Sequence, residues 1–251
     1  AARARKLVDP DKQVYATHNR NNSATALSIQ WIYNWTGHEW LNEDRTEVLL
    51  DDPGVAELLE FWRDLQVNQH VIPYAGGFPP RSFDQGGYAI TEQYLSLAFS
   101  LDEVAFDWIV TLLPKAPYAQ KSHAQAHMFS MANGTRQLDA AWRLIEWMAS
   151  YEGQKAMVEI LLRQPLGPYP ELWDSFFGRL SPEKATYLRD WLMTTLYGQD
   201  YIYNFHYWTT WPEMQSVMNE HLGRIFNQGV PIPNELSVAA QRLRAILEGE
   251  N

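Results

Sequence analysis

A polar and aromatic cluster follows a short turn-and-strand pattern at residues 83–94, and its side chains could bind a ligand. The pair Gly86-Gly87 permits a sharp turn, because glycine adopts backbone angles that other residues avoid. Residues 88–91 are aromatic or β-branched in part and predict a strand. Thr91, Glu92 and Tyr94 then lie just past its carboxyl end, where ligands bind in open α/β sheets. Tyr94 offers a ring for stacking, and Thr91 and Glu92 offer hydrogen-bonding oxygens.

The chain is also rich in large aromatic side chains, with 11 Trp and 13 Tyr in 251 residues. Trp35 lies in a loop after a predicted helix, and residues 201–212 contain His206, Trp208 and Trp211. Each indole or phenol combines a large apolar face with a polar tip. These rings therefore predict either a Trp-rich core or stacking surfaces for sugar rings and similar flat, amphipathic ligands. We expect most Trp residues in the core and a few at a site.

Catalytic and metal chemistry have less support. The sequence contains no nucleophile elbow, P-loop or dinucleotide-binding glycine motif. A pair of carboxylates would suit a glycosidase, but the candidates have no spacing that pairs them; they are Glu39, Glu43, Glu92 and Glu213. His123 and His127 could share one face, without a third metal ligand near them in the sequence. We predict a binding protein with no catalytic residues, no metal and no cofactor, and we keep a carbohydrate-active enzyme as the alternative.

Several helices have recognisable ends. Ser23 is a predicted N-cap, and Gly37 is predicted to stop that helix. Asp52 and Pro53 predict the start of another helix that runs to about Asn68. Apolar periodicity predicts further helices at 137–150, 152–162, 172–177, 182–197, 211–227 and 231–247.

A nearly continuous apolar run at 106–113 predicts a strand buried on both faces. Alternation of strand-like and helical segments predicts an α/β fold, with a mixed sheet of about four or five strands and helices on both faces. Trp108, Trp142 and Trp147 lie in apolar stretches and are predicted to be buried core residues.

Composition excludes several classes of protein. Apolar residues make up 46% of the chain and charged residues 20%, which allows a core and argues against long disorder. The net charge of −10 disfavours nucleic acid and anionic membrane surfaces as partners. No apolar run reaches the roughly 20 residues that span a bilayer. Cysteine is absent, which fits both secreted and cytosolic proteins.

Segments along nearly the whole chain resemble the family 1 extracellular solute-binding proteins, the sugar-type receptors of bacterial ABC importers. The matching segments are Phe83 to Ile90, the Asp52-Pro53 helix, Phe106 to Pro114, Ala141-Trp142 to Gln154, and the final Pro233 to Ala239 helix. The resemblance implies a type II periplasmic-binding-protein-like α/β fold that lacks the amino-terminal part. Residues 1–118 and 171–251 would form the carboxyl-terminal lobe, and 119–170 a returning segment of an incomplete amino-terminal lobe.

The resemblance also implies a function. The chain would belong to an extracytoplasmic receptor, in the periplasm or at the cell surface, with a lipid anchor ahead of Ala1 left open. It would capture a sugar or polyol by hinge closure and deliver it to an ABC permease and ATPase. The implied cleft brings the strand-end cluster and the late aromatic segment together as one site: Trp35, Thr91, Glu92, Tyr94, His206, Trp208 and Trp211. A fragment without a ligand of its own is the further alternative.

Overall fold

The computed structural model describes residues 2–18, 23–92, 101, 104–123, 129–161, 165, 169–197, 201–205 and 207–249, with backbone alone at 2, 28–30 and 193–197. The chain divides into two compact units. Unit 1 comprises Ala1–Glu92, Leu112–Ala124 and Asp200–Asn251, and unit 2 comprises Gln93–Thr111 and Gln125–Gln199. The predicted lobes, 1–118 with 171–251 and 119–170, stay a prediction, because compactness alone defines these units.

Helices make up most of the regular structure that is described. In chain order they are α1 (Ala2–Arg5), α2 (Ala24–Ala26), α3 (Tyr33–Thr36), α4 (Pro53–Val67), α5 (Leu138–Ala149), α6 (Tyr151–Glu159), α7 (Pro170–Phe177), α8 (Pro182–Tyr197), α9 (Trp211–Gly223) and α10 (Ile232–Gly249). The π-helical segment Leu27–Ile32 joins α2 to α3, and a second one, Arg224–Gln228, extends α9. Helices α5 to α8 belong to unit 2 and the others to unit 1.

The helical run from α2 to α3 ends at Gly37 as predicted, but it includes Trp35, which was predicted to lie in the loop after the helix. Gly37 follows α3 with a φ of 87°, a left-handed angle that glycine adopts without strain, and its amide donates to the Tyr33 carbonyl. Leu27 and Ile32 are fully buried and Trp31 is 6% exposed, so this run turns one apolar face into the core of unit 1.

Helix α4 begins at the predicted cap. Asp52 Oδ1 accepts a hydrogen bond of 2.7 Å from the Gly54 amide, and Pro53 occupies the first helical turn, where its missing amide proton costs nothing. The apolar face of α4 is buried along its length through Val55, Leu58, Leu59, Trp62 and Leu65. This helix therefore holds the centre of unit 1 in place.

Replacing Asp52 tests that cap. Asp52→Ala should lower the free energy of unfolding by about 0.5–2 kcal/mol, because the first-turn amides of α4 lose their acceptor. Asp52→Asn is the matched control, since an asparagine side chain caps as well as aspartate. Chemical denaturation measures both variants. If both variants lost the same free energy of unfolding, the negative charge of Asp52 would matter instead of its capping hydrogen bond. That charge lies 3.8 Å from His38 Nε2.

Helices α9 and α10 close unit 1 and pack against each other, and α10 also contacts α4. His221 on α9 is fully buried. Its Nδ1 lies 2.6 Å from Glu235 Oε1, and its Nε2 lies 3.1 Å from Arg242 Nη1. Because an arginine can only donate, Nε2 accepts, so the ring proton is on Nδ1 and is donated to Glu235. This triad fixes the register of α10 on α9.

Sheet structure is sparse in the described residues. Strands β1 (Ser122–His123) and β2 (Ile202–Tyr203) pair in parallel, with Ser122 opposite Ile202. The predicted strand at 88–91 makes an isolated parallel bridge between Tyr88 and Tyr15. Its backbone bonds extend further, since the Ile90 amide donates to the Ala16 carbonyl at 2.9 Å. The described residues thus combine helices with short strand pairs, and a sheet of four or five full strands is not formed among them.

The doubly buried strand predicted at 106–113 is wrong. Ile109 is 79% exposed, and the segment has no strand assignment. Alternate residues Trp108 and Val110 pack on a cluster formed by α7, α8 and the turn between them. Both backbone polar groups of Val110 bond to the Tyr187 hydroxyl instead of to a neighbouring strand. The run is therefore an extended segment with one packed side.

The predicted burial of Trp142 and Trp147 is also wrong. Helix α5 forms as expected, but no side chain on it is buried, and Trp142 and Trp147 are 52% and 51% exposed. Trp108 is half-buried, and its indole donates to the Leu101 carbonyl at 2.9 Å, so it is structural without being a core residue. The buried parts of unit 2 lie instead around α6, α7 and α8.

Candidate functional site

The carboxylate predicted for the site is held by an indole. Glu92 follows the segment that pairs with Tyr15, and its Oε2 accepts a hydrogen bond of 3.0 Å from Trp31 Nε1. Trp31 is 6% exposed and lies on the π-helical segment before α3. Two elements that are 61 residues apart thus meet here, and the partly buried carboxylate has a defined orientation.

A chain of ring contacts extends from this pair. Trp31 meets Trp62 edge-on with centroids 5.3 Å apart, and Trp62 meets Phe61 at 5.8 Å. Phe61 in turn lies 5.3 Å from Trp35 on α3. Helix α4 supplies the middle of this chain and α3 its end. We call these four rings with Glu92 the Trp31 group.

Polar atoms in and beside the Trp31 group are buried without partners. Among the described residues, Trp35 Nε1, Trp62 Nε1 and Thr91 Oγ1 have no hydrogen-bond partner. Buried polar groups are ordinarily paired, so such atoms merit a functional explanation. Thr91 is the chain neighbour of Glu92, which places an unpaired hydroxyl next to the oriented carboxylate. The arrangement thus places buried, unpaired polar atoms alongside indole rings.

A second set of aromatic side chains lies around the start of α9. Trp40 is fully buried, and its ring lies 4.9 Å from Trp211 and 6.3 Å from Trp208. Phe205 contacts both Trp208 and Trp211. Trp208 is half-buried and donates from Nε1 to the Met214 sulfur at 3.1 Å, whereas Trp211 is only 7% exposed. We call these rings, Trp40, Phe205, Trp208 and Trp211, the Trp40 group.

The predicted site residues thus fall into two sets within unit 1. Trp35, Thr91 and Glu92 belong to or adjoin the Trp31 group, and Trp208 and Trp211 belong to the Trp40 group. No ring contact joins the two sets among the described side chains. Tyr94 and His206 lie outside the described residues. Since Trp211 is nearly buried, it supports the neighbouring indoles and offers little free surface.

A third cluster was not predicted from the sequence. The Tyr203 hydroxyl donates to Glu39 Oε1. Tyr33 stacks on Tyr203 with centroids 4.1 Å apart and an interplanar angle of 11°, and Tyr118 meets Tyr33 edge-on at 5.7 Å. Glu39 was a candidate only by residue type. The contact with Tyr203 spans 164 positions, and no local pattern in the sequence indicates it.

Tyr33 and Tyr203 of this cluster keep their protons at neutral pH. Burial, followed by the bond to Glu39, raises the pKa of the Tyr203 phenol far above its ordinary value. Burial, followed by the neighbouring Tyr118 hydroxyl, raises the pKa of Tyr33. Both hydroxyls are therefore hydrogen-bond donors as well as acceptors.

Across the described ranges, no three His, Asp, Glu or Cys side chains are arranged to hold a metal ion. Within the same ranges, no helix is long and apolar enough to cross a membrane.

The fold is shared with solved substrate-binding proteins of ABC transporters. One from Listeria monocytogenes, in complex with cycloalternan, has 16% identity and a TM-score of 0.77, covering 98% of this chain and 62% of its own. The maltose-bound MalE3 of T. maritima has 15% identity and a TM-score of 0.70, covering 97% and 63%. A ribitol complex from Agrobacterium radiobacter has 17% identity and a TM-score of 0.66, covering 98% and 63%.

These likenesses define the class of protein. The chain has the type II periplasmic-binding-protein-like fold that the sequence predicts, and it spans a little over three fifths of the length of these structures. A model of the bacterial extracellular solute-binding protein family matches residues 2–168. The chain therefore belongs to that family of bacterial extracellular solute-binding proteins. No curated protein matches the chain.

Proposed function

We propose that the protein is an extracytoplasmic receptor, in the periplasm or at the cell surface, that captures a sugar or polyol and delivers it to an ABC importer. Members of its family are extracellular solute-binding proteins. Its structural relatives include complexes with cycloalternan, maltose and ribitol, which are all uncharged and rich in hydroxyl groups. The permease and ATPase of the importer are the proposed partners.

The observation that carries the proposal is the Glu92 carboxylate fixed by Trp31 beside the unpaired Thr91 hydroxyl. A carboxylate can accept hydrogen bonds from two neighbouring sugar hydroxyls, and aromatic faces pack on the C–H face of a sugar ring. Binding groups of this kind, held in place before the ligand arrives, lower the entropic cost of binding.

We propose capture by hinge closure, in which two lobes close over one solute and no bond is made or broken. The proposed ligand-binding residues are Trp35, Thr91, Glu92, Tyr94, His206, Trp208 and Trp211. Within this set Trp211 acts through its contact with Trp208, with centroids 5.0 Å apart, because its own ring is buried. The others supply stacking surfaces or hydrogen bonds.

Substitution of Glu92 tests this site. Glu92→Gln should weaken binding of the preferred sugar about tenfold or more, because hydrogen bonds to a charged group contribute about 1.5–3 kcal/mol. The amide oxygen of glutamine still accepts from Trp31, so the fold should be retained. Titration of the complete encoded protein, followed by tryptophan fluorescence, measures the affinity for maltose, maltotriose, D-tagatose and ribitol.

The matched control is Glu57→Gln on the exposed side of α4, which should leave every affinity unchanged. Equal affinities for the wild type and Glu92→Gln would remove Glu92 from the site. Products of hydrolysis in the sugar mixture after incubation would favour an enzyme instead of a receptor.

A further inference from the structure

We propose that Tyr118, Tyr33, Tyr203 and Glu39 form an additional subsite that binds one uncharged sugar ring, with the exposed face of Tyr118 as its stacking surface. We call these four residues the tyrosine platform. This inference rests on the proposed sugar-binding function and deepens it, since a subsite outside the Glu92 position implies a ligand of more than one ring.

Hydrogen bonds to a buried residue hold the backbone of Tyr118 in a defined position. Its side chain is 59% exposed, yet its backbone is held by the buried Asn34. The Asn34 carbonyl accepts from the Tyr118 and Ala119 amides at 3.1 and 2.9 Å. The Asn34 side chain, only 3% exposed, donates to the Lys121 carbonyl at 2.9 Å and accepts from the Lys121 amide at 2.6 Å. A buried amide that makes these bonds holds the loop in one conformation.

Gly37 adds a second constraint on the same ring. A Cβ atom at this position would lie 2.8–3.0 Å from three carbon atoms of the Tyr118 ring, closer than real contacts of this kind. The absence of a side chain therefore lets the Tyr118 ring lie against the backbone at the end of α3. One edge of the Tyr118 ring contacts the backbone at Gly37, and most of the ring is exposed to solvent. An aromatic side chain that is fixed and exposed together is suited to stacking on a ligand.

The polar groups beside the ring suit hydroxyl groups. Tyr33 lies between Tyr118 and Tyr203, and Tyr203 bonds to Glu39. The raised pKa values of Tyr33 and Tyr203 keep both phenols protonated. Glu39 and Glu43 place negative charge near Tyr33, which disfavours an anionic ligand such as a uronic acid or sugar phosphate. The platform thus fits an uncharged, hydroxyl-rich ring.

Chain continuity connects the platform to the Trp40 group. Glu39 is the chain neighbour of Trp40, whose ring contacts Trp208 and Trp211. Tyr203 is part of β2, and the Phe205 ring two residues later also contacts Trp211. Both clusters belong to unit 1. The platform and the Trp40 group therefore lie on adjoining segments of unit 1, and Trp208, the half-buried ring of the Trp40 group, is the proposed site residue on those segments that has free surface.

Fluorine NMR tests the platform directly. In the complete encoded protein labelled with 3-fluorotyrosine, Tyr118→Phe identifies the Tyr118 resonance by its loss. Adding maltotriose should shift that resonance in a saturable way, whereas D-glucuronate at the same concentration should not. An unmoved Tyr118 resonance with maltotriose, or an equal shift with glucuronate, would overturn the subsite as proposed.

Affinity for maltotriose in the complete encoded protein separates this inference from the proposed function. Tyr118→Ala should weaken binding at least fivefold and Tyr118→Phe by less than twofold, because the ring and not the hydroxyl does the stacking. The control is Trp142→Ala, which removes an aromatic side chain of similar exposure in unit 2 and should have no effect. Normal maltotriose binding by Tyr118→Ala would overturn the platform alone. No binding of any sugar by the wild type would overturn the proposed function, and the platform with it.

Discussion

Trp40→Ala should lower the free energy of unfolding by about 3–5 kcal/mol, the range for removing a large buried aromatic side chain. Trp40 is fully buried and its ring contacts both Trp208 and Trp211. The substitution would leave a large cavity at the start of α9, where the late aromatic segment meets the loop before α4. Urea denaturation, followed by circular dichroism, measures the loss.

Trp142→Ala is the matched control for this experiment. It removes the same side chain from a helix surface where Trp142 is 52% exposed, so it should cost less than about 1 kcal/mol. Trp211→Ala should resemble Trp40→Ala, because Trp211 is only 7% exposed. A loss at Trp142 equal to that at Trp40 would contradict the assigned packing of both side chains.

His221→Leu should cost about 2–4 kcal/mol, since it removes a buried hydrogen-bonding partner from charged groups. Glu235 is 13% exposed, and of its ion-pair partners among the described residues it would keep Arg224, at 3.4 Å, and lose the imidazole at 2.6 Å. Arg242 would lose His221 Nε2 as an acceptor and keep its bond to Glu220. Because leucine and histidine have similar volumes, the substitution should leave little cavity. The loss of unfolding free energy would therefore come mainly from the lost polar contacts. Thermal or chemical unfolding measures the effect.

Glu220→Gln provides the comparison for His221. Glu220 bonds to the same Arg242, at 2.8 Å, but lies in solvent, where water replaces a lost partner. Its unfolding midpoint should stay close to that of the wild type. An unchanged unfolding midpoint for His221→Leu would show that the triad of His221, Glu235 and Arg242 does not stabilise the packing of α10 on α9.

Local patterns predicted the helices of this chain well. Asp52, Pro53 and Gly37 act within one turn of the chain, and the structure confirms the helix ends that they predict. Such caps depend on bonds between near neighbours, which a sequence shows directly. Apolar runs were less informative, because they do not reveal how many sides of a segment are covered. For this reason Phe106 to Leu113 and Trp142 were assigned to a core that does not contain them.

The candidate site was predicted in part. Glu92 and Thr91 were identified from a strand-end pattern, but the indole that orients Glu92 comes from Trp31, 61 residues earlier. The tyrosine platform depends on the bond between Tyr203 and Glu39 and on the contact of Tyr118 with Tyr33, which long-range packing creates. No periodicity or motif encodes such pairs. A sequence therefore supplies candidate residue types, and the fold decides which of them meet.

Isothermal titration calorimetry of the complete encoded protein with maltose, maltotriose, D-tagatose and ribitol tests whether this protein is a sugar or polyol receptor. A receptor should give saturable heat with one binding site per chain for at least one of these ligands, and that ligand should be recovered unchanged after the titration. Absence of saturable heat for all four, or conversion of a ligand to products, would contradict the account of this protein as a sugar or polyol receptor.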